Sequence, residues 1–180
     1  MKCFFIWFFI SDNMLINNDF DLSIFLFLLP PYVANAIPVF LGGEMPIDDL
    51  LKVKFKLFGK NKTILGTLSA FSAGTITGYA ISFFSPFPFK ESFIIAIISV
   101  IGAIFGDLLG SLIKRRLNME EGSEFWLDSI LFIITSMIFV NFYKNIFSPT
   151  LFIVILIITF FVHKIANFIA YVLKLKKVPW

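Results

Sequence analysis

The sequence has few charged residues and almost no cysteine. Asp, Glu, Lys and Arg make up only 15% of its 180 residues, whereas soluble domains carry about 25%. The single cysteine excludes an intramolecular disulfide framework and offers no zinc-ligand spacing. No internal repeat and no low-complexity linker occurs. These absences exclude a disulfide-stapled chain and argue against an ordinary water-soluble domain.

The sequence instead has long apolar runs. Hydrophobic residues make up 58% of the chain, and 26 of them are phenylalanine. Five runs approach the ~20 residues that a helix needs to cross a bilayer, and they are continuous rather than alternating, which argues against barrel strands. We therefore predict an all-α, polytopic membrane protein with five transmembrane helices. Their predicted bounds are Leu22–Leu41, Ile64–Phe84, Ser92–Ile113, Leu127–Tyr143 and Pro149–Leu173.

The chain is predicted to be one membrane domain, residues 22–180, after an N-terminal extension, residues 1–21. The apolar run at 3–10 is too short to cross a bilayer, and Met14 is an alternative start. Five spans place the termini on opposite sides. One side would hold eleven Lys and Arg residues and the other three, so the positive-inside rule predicts an outside N-terminus and cytoplasmic basic loops. We expect a functional site to be formed by these cytoplasmic loops.

Two carboxylates lie at the predicted cytoplasmic side. Asp107 is inside the third span, where a charged group is costly and therefore a functional candidate, and Asp128 begins the fourth span. Mg²⁺ prefers carboxylate and phosphate oxygens, so the two carboxylates indicate a site for a divalent metal and a polyphosphate. The alternative for Asp107 is a structural ion pair with a neighbouring Lys or Arg.

Basic and hydroxyl groups follow Asp107 along the chain, and Lys114, Arg115 and Arg116 begin the cytoplasmic loop that is predicted after the third span. Lys114 and Arg115 are able to neutralise phosphate charge, although basic residues flank most cytoplasmic helix ends. Ser111 shares a helix face with Asp107 and Lys114 because the three are spaced i, i+4, i+7. We therefore predict that these residues surround a phosphate-binding site.

Two further segments are candidates for contacting a nucleotide. Lys62 and Thr63 precede the second span, where an ammonium, a hydroxyl and backbone N–H groups can bind phosphate; the segment lacks the first glycine of a P-loop, so the signal is weak alone. Asn35 and Pro38 lie in a proline-rich part of the first span. Such a break is tolerated beside a wet cavity, and a kinked helix is the alternative interpretation.

Small residues recur at every fourth position in the second and third spans. This spacing lets membrane helices approach closely, so packing is the favoured interpretation. The residues are Gly66, Ala70, Gly74 and Gly78, then Gly102, Gly106 and Gly110.

Four ordered blocks of the sequence resemble the archaeal CDP-archaeol synthases. They are Pro31–Pro38 with Gly42-Gly43 and Pro46–Asp48, then Gly59–Gly66, then Gly106–Arg116 followed by Asp128, and finally His163–Trp180. The sequence departs from this family at Lys60 and Leu65, where the family has Asp and Arg.

The resemblance implies a CTP-dependent cytidylyltransferase. It would join CTP to 2,3-bis-O-(geranylgeranyl)-sn-glycerol 1-phosphate, an ether-lipid phosphate in the lipid bilayer, and release pyrophosphate. Mg²⁺ would be held by Asp107 and Asp128, and no nucleic-acid partner is expected. The remaining contacts to CTP would come from Asn35, Pro38, Lys62, Thr63, Ser111, Lys114 and Arg115.

Two other functions remain alternatives at this point. A CTP-dependent polyprenol kinase needs similar nucleotide machinery with an alcohol acceptor. A small-solute transporter is favoured by polar residues at the bilayer midplane and by internal repeats, and the sequence has neither.

Overall fold

A computed structural model describes residues 27–52, 57–119, 123 and 125–174. Within them the fold is all-α, apart from one isolated β-bridge between Pro46 and Thr63. The predicted extension 1–21, the start of the first predicted span and the lysines at 54, 56, 176 and 177 lie outside the described residues. The helices are α1 (Leu29–Ala36), α2 (Pro38–Leu41), α3 (Ile47–Leu50), α4 (Ile64–Ile81), α5 (Phe89–Arg116), α6 (Asp128–Tyr143) and α7 (Pro149–Val172).

Three of the described helices, α4, α5 and α7, are long and apolar enough to cross a membrane. The first and fourth predicted spans correspond to shorter apolar helices, Leu29–Leu41 and Asp128–Tyr143. The helical segment Leu29–Leu41 is divided at Ile37 into α1 and α2, because Pro38 has no N–H to continue the helical hydrogen bonds. The predicted all-α membrane class is thus confirmed, with three helices of spanning length among the described residues.

Helix α5 is longer than the sequence suggested. It begins three residues before and ends three residues after the predicted Ser92–Ile113. Lys114, Arg115 and Arg116 therefore form its last turn, and the prediction that they lie in a loop is wrong. Cationic side chains are favourable at a helix C-terminus, where unpaired carbonyl groups carry partial negative charge.

The glycine-rich faces are the packing surfaces of α4 and α5. A Cβ atom at Gly78 of α4 would lie only 2.5 Å from Cβ of Ala96 on α5. On α5, a Cβ at Gly102 would lie 2.7 Å from Cα of Ser136, and one at Gly106 would lie 2.5 Å from the carbonyl oxygen of Leu131 on α6. The predicted packing role of these residues is confirmed, and α5 is held tightly between α4 and α6.

The first helix is packed against the others on two sides. Ala34 is buried with Ala70 of α4 and Val100 of α5. On another face, the hydroxyl groups of Tyr32 and Thr159 are hydrogen-bonded, 2.5 Å apart, which connects α1 to α7. Helix α1 thereby brings its next turn, with Asn35, against the N-terminal end of α4.

We expect Gly106→Ala to destabilise the fold. Alanine gains about 1 kcal/mol of helix propensity over glycine, but its Cβ would overlap the backbone of α6, and overpacking costs about 1–3 kcal/mol. Thermal unfolding of the detergent-purified protein should therefore begin at lower temperature. Ser72→Thr is the control, because it adds one methyl group at an exposed position of α4. An unchanged midpoint for Gly106→Ala would contradict this packing account.

Candidate active site

A small polar cavity lies where α1, the N-terminal end of α4 and the C-terminal half of α5 meet. Pro38 contributes to its lining, and the polar lining residues are Asn35, Asn61, Lys62, Thr63, Thr67 and Asp107. Small residues, including Gly66 and Ala103, complete the wall. The cavity holds about 50 Å³, much less than the ~300–1,000 Å³ of typical ligand pockets. A polyphosphate therefore requires side chains in this cavity to move.

Lys62 and Asp107 form an ion pair within this cavity. The ammonium group of Lys62 donates to both carboxylate oxygens of Asp107, at 2.5 and 2.6 Å. The side chains retain 25% and 38% of their exposure, respectively. The cation that neutralises Asp107 in this apolar helix is thus Lys62, which lies 45 positions earlier in the sequence. It does not belong to the basic cluster that follows Asp107.

The backbone around Lys62 is fixed by the cap of α4. The Thr63 hydroxyl oxygen accepts hydrogen bonds from the N–H of Gly66, at 3.1 Å, and from the N–H of Gly43, at 3.2 Å. The carbonyl of Lys62 accepts from the N–H of Ile47 at 2.8 Å. The Thr63 side chain thus stabilises the helix N-terminus and joins it to the segment after α2, besides lining the cavity.

Asp48 is a residue that sequence reasoning did not select as functional. Its carboxylate accepts hydrogen bonds from three consecutive backbone N–H groups, those of Leu57, Phe58 and Gly59, at 2.9–3.1 Å. Its exposed fraction is only 9%. The only sequence signal for Asp48 was its place in a block that resembles the family, because backbone partners leave no pattern in side-chain identity.

A second ion pair lies further along α5. Lys114 donates to the carboxylate of Asp128 at 2.6 Å. A Cβ atom at Gly110 would lie 2.9 Å from an Asp128 oxygen, so this carboxylate rests against α5 between Asp107 and Lys114. Asp107 and Lys114 are seven residues apart, or about 10 Å along the helix. Asp128 therefore approaches the same end of α5 but does not line the cavity.

The structure brings together five of the nine residues selected from the sequence. Asn35, Pro38, Lys62, Thr63 and Asp107 all line the cavity. The other four do not line it, and they are Ser111, Lys114, Arg115 and Asp128.

Ser111 has a local role in its own helix. It is buried, and its hydroxyl group donates to the carbonyl oxygen of Asp107 at 3.2 Å. Arg115 lies in the last turn of α5, beside Lys114. The structure therefore places Ser111 inside the helix packing, whereas the basic residues lie at the helix end.

The donors in the cavity suit a metal ion that is bound together with phosphate. Within the described part of the chain, no group of three or more His, Cys, Asp or Glu side chains lies together. Asp107 supplies one carboxylate, and Asn35 and Asn61, which also line the cavity, carry amide oxygens. Mg²⁺ typically uses one or two carboxylates, with water and substrate phosphates completing its shell. The residues fit that mode of binding and not a cage made by protein alone.

Comparisons with known proteins agree on one family. A family model described as CarS-like, CDP-archaeol synthase, matches residues 16–180. The CDP-archaeol synthase of Thermococcus gammatolerans is 39% identical over 160 residues, which are 86% of this chain and 93% of that protein. The CDP-archaeol synthase of Archaeoglobus fulgidus is 35% identical over 178 residues, 90% of this chain and 99% of that protein.

A solved structure is also similar. It is described as an intramembrane enzyme for archaeal membrane lipids biosynthesis. The TM-score is 0.73 at 29% sequence identity, and the match covers 80% of this chain and 92% of that one.

We expect the Lys62–Asp107 pair to contribute little to stability. Partly exposed ion pairs contribute about 0–1 kcal/mol, so Asp107→Asn should lower the thermal midpoint only slightly. Glu91→Gln is a matched control, because Glu91 pairs with Lys144 at 2.7 Å with similar exposure at the opposite end of α5. A much larger loss of stability for Asp107→Asn than for Glu91→Gln would instead make Asp107 a structural counter-ion.

Proposed function

Because the chain belongs to the CDP-archaeol synthase family, we propose that its Lys62–Asp107 cavity is where CTP reacts with an ether-lipid phosphate. The enzyme is a CTP-dependent cytidylyltransferase of archaeal membrane phospholipid biosynthesis. The observation that carries the placement is the ion pair itself. A carboxylate and an ammonium group face one polar cavity at the end of apolar helices, which is where a water-soluble nucleotide and a membrane lipid are able to meet.

The reaction requires little proton chemistry from the protein. An oxygen of the lipid phosphate attacks the α-phosphorus of CTP; the new P–O bond forms as the bond to the β-phosphate oxygen breaks, and pyrophosphate leaves. The lipid phosphate is already ionised near neutral pH, so no strong general base is needed. Catalysis therefore rests on positioning and on neutralising charge that develops on the leaving group.

The two ion pairs supply this charge. Lys62 neutralises Asp107 when no nucleotide is present, and its flexible four-carbon stem allows its ammonium group to turn to a phosphate. Lys114 and Arg115 at the end of α5 would neutralise the leaving pyrophosphate. Asp107 and Asp128 would hold Mg²⁺, which when bound stabilises negative charge on the phosphate oxygens.

The lipid substrate has an apolar surface next to the cavity. A groove of about 390 Å³ lies between α1 and α7, and it is almost entirely apolar. Tyr32 in the groove and Asn35 in the cavity are one helical turn apart on α1. We place an isoprenoid chain of the lipid in this groove, with its phosphate directed toward Lys62. The residues that line the groove are Leu28, Leu29, Tyr32, Ile155, Ile158 and Val162.

We further propose five membrane crossings, an outside N-terminus and a cytoplasmic site. The eleven-to-three distribution of basic residues supports this orientation. Lys62 and Lys114 pair with Asp107 and Asp128 at one end of the helices, whereas the Glu91–Lys144 pair lies at the other. The proposed orientation exposes the first end to cytoplasmic CTP.

Removing either carboxylate should abolish most turnover. Asp→Asn keeps the size and polarity of the side chain but removes the charge that a hard cation requires. Purified Asp107→Asn and Asp128→Asn should each form CDP-lipid from CTP, Mg²⁺ and ether-lipid phosphate at least about 100-fold more slowly, equivalent to ~2.7 kcal/mol of transition-state stabilisation. Product mass and Mg²⁺ dependence are the measurements.

Glu91→Gln is again the control, and it should retain wild-type turnover. A folded Asp107→Asn enzyme with normal rate and unchanged Mg²⁺ dependence would remove Asp107 from the mechanism. A normal rate and unchanged Mg²⁺ dependence for Asp128→Asn alone would remove Asp128 from the metal site and leave Asp107 as its carboxylate ligand.

Cysteine labelling tests the orientation. In a background without Cys3, a single cysteine in the 85–88 turn between α4 and α5 should react with an impermeant reagent added from outside. A cysteine at Asn118, after the end of α5, should react only after the membrane is opened. The reverse pattern would place the cavity on the side without CTP and contradict the proposed topology.

A further inference from the structure

Asp48 holds the loop that leads to Lys62. The three N–H groups on its carboxylate belong to residues 57–59, and Lys62 follows three residues after the last of them. A carboxylate as buried as this one remains tolerable only when hydrogen bonds replace its lost water. Bonds to a charged acceptor are among the stronger hydrogen bonds in proteins. Asp48 therefore constrains this loop far more than its position in the sequence suggests.

Residues 47–48 also hold this loop at a second point. The N–H of Ile47, adjacent to Asp48, donates to the carbonyl of Lys62 at 2.8 Å. Gly59 has φ of 84°, which L side chains rarely adopt, and its carbonyl oxygen lies 3.4 Å from the N–H of Lys62 in a tight turn. The start and the end of the 59–62 turn are thus both tied to residues 47–48.

We infer that Asp48 is a positioning residue for cytidylyl transfer, acting through Lys62. It sets the path of the 57–62 backbone, and that path directs the Lys62 ammonium group to Asp107. Asp48 does not line the cavity, and its carboxylate is engaged by backbone N–H groups, so we assign it no contact with substrate. This inference rests on the proposed role of Lys62 in the reaction.

Charge and acceptor number both matter at this position. The Oδ2 atom accepts from all three N–H groups, and Oδ1 accepts in addition from the N–H of Phe58. The carboxamide in Asp48→Asn keeps one acceptor oxygen but loses the charge that strengthens these bonds, and its NH₂ group would face the N–H donor of Phe58. Asp49→Asn makes the same chemical change one residue later, where the side chain is exposed. Comparing the two variants separates the effect of losing the hydrogen bonds at Asp48 from a general effect of losing one negative charge.

A double-mutant cycle with Lys62→Met tests the inference. In CDP-lipid turnover per folded molecule, we expect Asp48→Asn and Lys62→Met each to lose about 10-fold or more, since charged hydrogen bonds of this kind typically contribute on that scale. Asp49→Asn should stay within about twofold of wild type. Introduced into Lys62→Met, Asp48→Asn should cost less than about threefold further, because the residue through which it acts is already gone.

The possible outcomes separate this inference from the proposed site. Wild-type turnover in Lys62→Met would overturn the role of Lys62, and this inference with it. An impaired Lys62→Met beside a normal Asp48→Asn, or losses that multiply in full in the double variant, would overturn the inference alone. Where Asp48→Asn does not fold, Gly59→Ala replaces it in the cycle, because it disturbs the turn at its positive φ. If the losses from Gly59→Ala and Lys62→Met then multiply in full, the inference is overturned in the same way.

Discussion

A carboxylate inside an apolar helix must be neutralised, and in this fold the neutralising cation comes from a different part of the chain. Asp107 lies two turns before the end of α5 and meets the ammonium group of Lys62 from the loop before α4. The ion pair thereby joins the loop before α4 to α5. Because the partner is a partly exposed, flexible lysine instead of a buried arginine fork, Asp107 is neutralised without being locked into one arrangement.

The pairing is possible only because the helices approach very closely. Gly74 and Gly78 let α4 lie against α1 and α5, and Gly102 and Gly106 do the same for α5 against α6. Without a water-driven hydrophobic force between membrane helices, such close contact supplies much of their association. Packing also places Asp128 against Gly110, so both carboxylates lie along one end of α5. The stretch Gly106–Lys114 therefore serves both helix packing and the proposed site.

Much of this arrangement was predictable, and the exceptions have a common cause. Continuous apolar runs located four of the five predicted spans to within about three residues at each end, and the cost of a charge within a membrane span singled out Asp107. The partner of Asp107 was not predictable, because Lys62 reaches it only after α4 and α5 pack together. Asp48 was missed because its partners are backbone N–H groups, which every residue carries. The last turn of α5 was mistaken for a loop, since basic residues at a membrane helix end look the same in sequence whether they are helical or not.

The small volume of the cavity has a consequence for how the two substrates are used. A space of about 50 Å³ cannot contain a triphosphate while Lys62 lies on Asp107. In the proposed mechanism the nucleotide therefore competes for Lys62, and its phosphates would do so most effectively when a cation compensates Asp107 at the same time. Metal and CTP would then be favoured to bind together, since each alone leaves a charge unmatched. In this proposal the site stays neutral until the nucleotide arrives, and the role inferred for Asp48 is to return Lys62 to the same place.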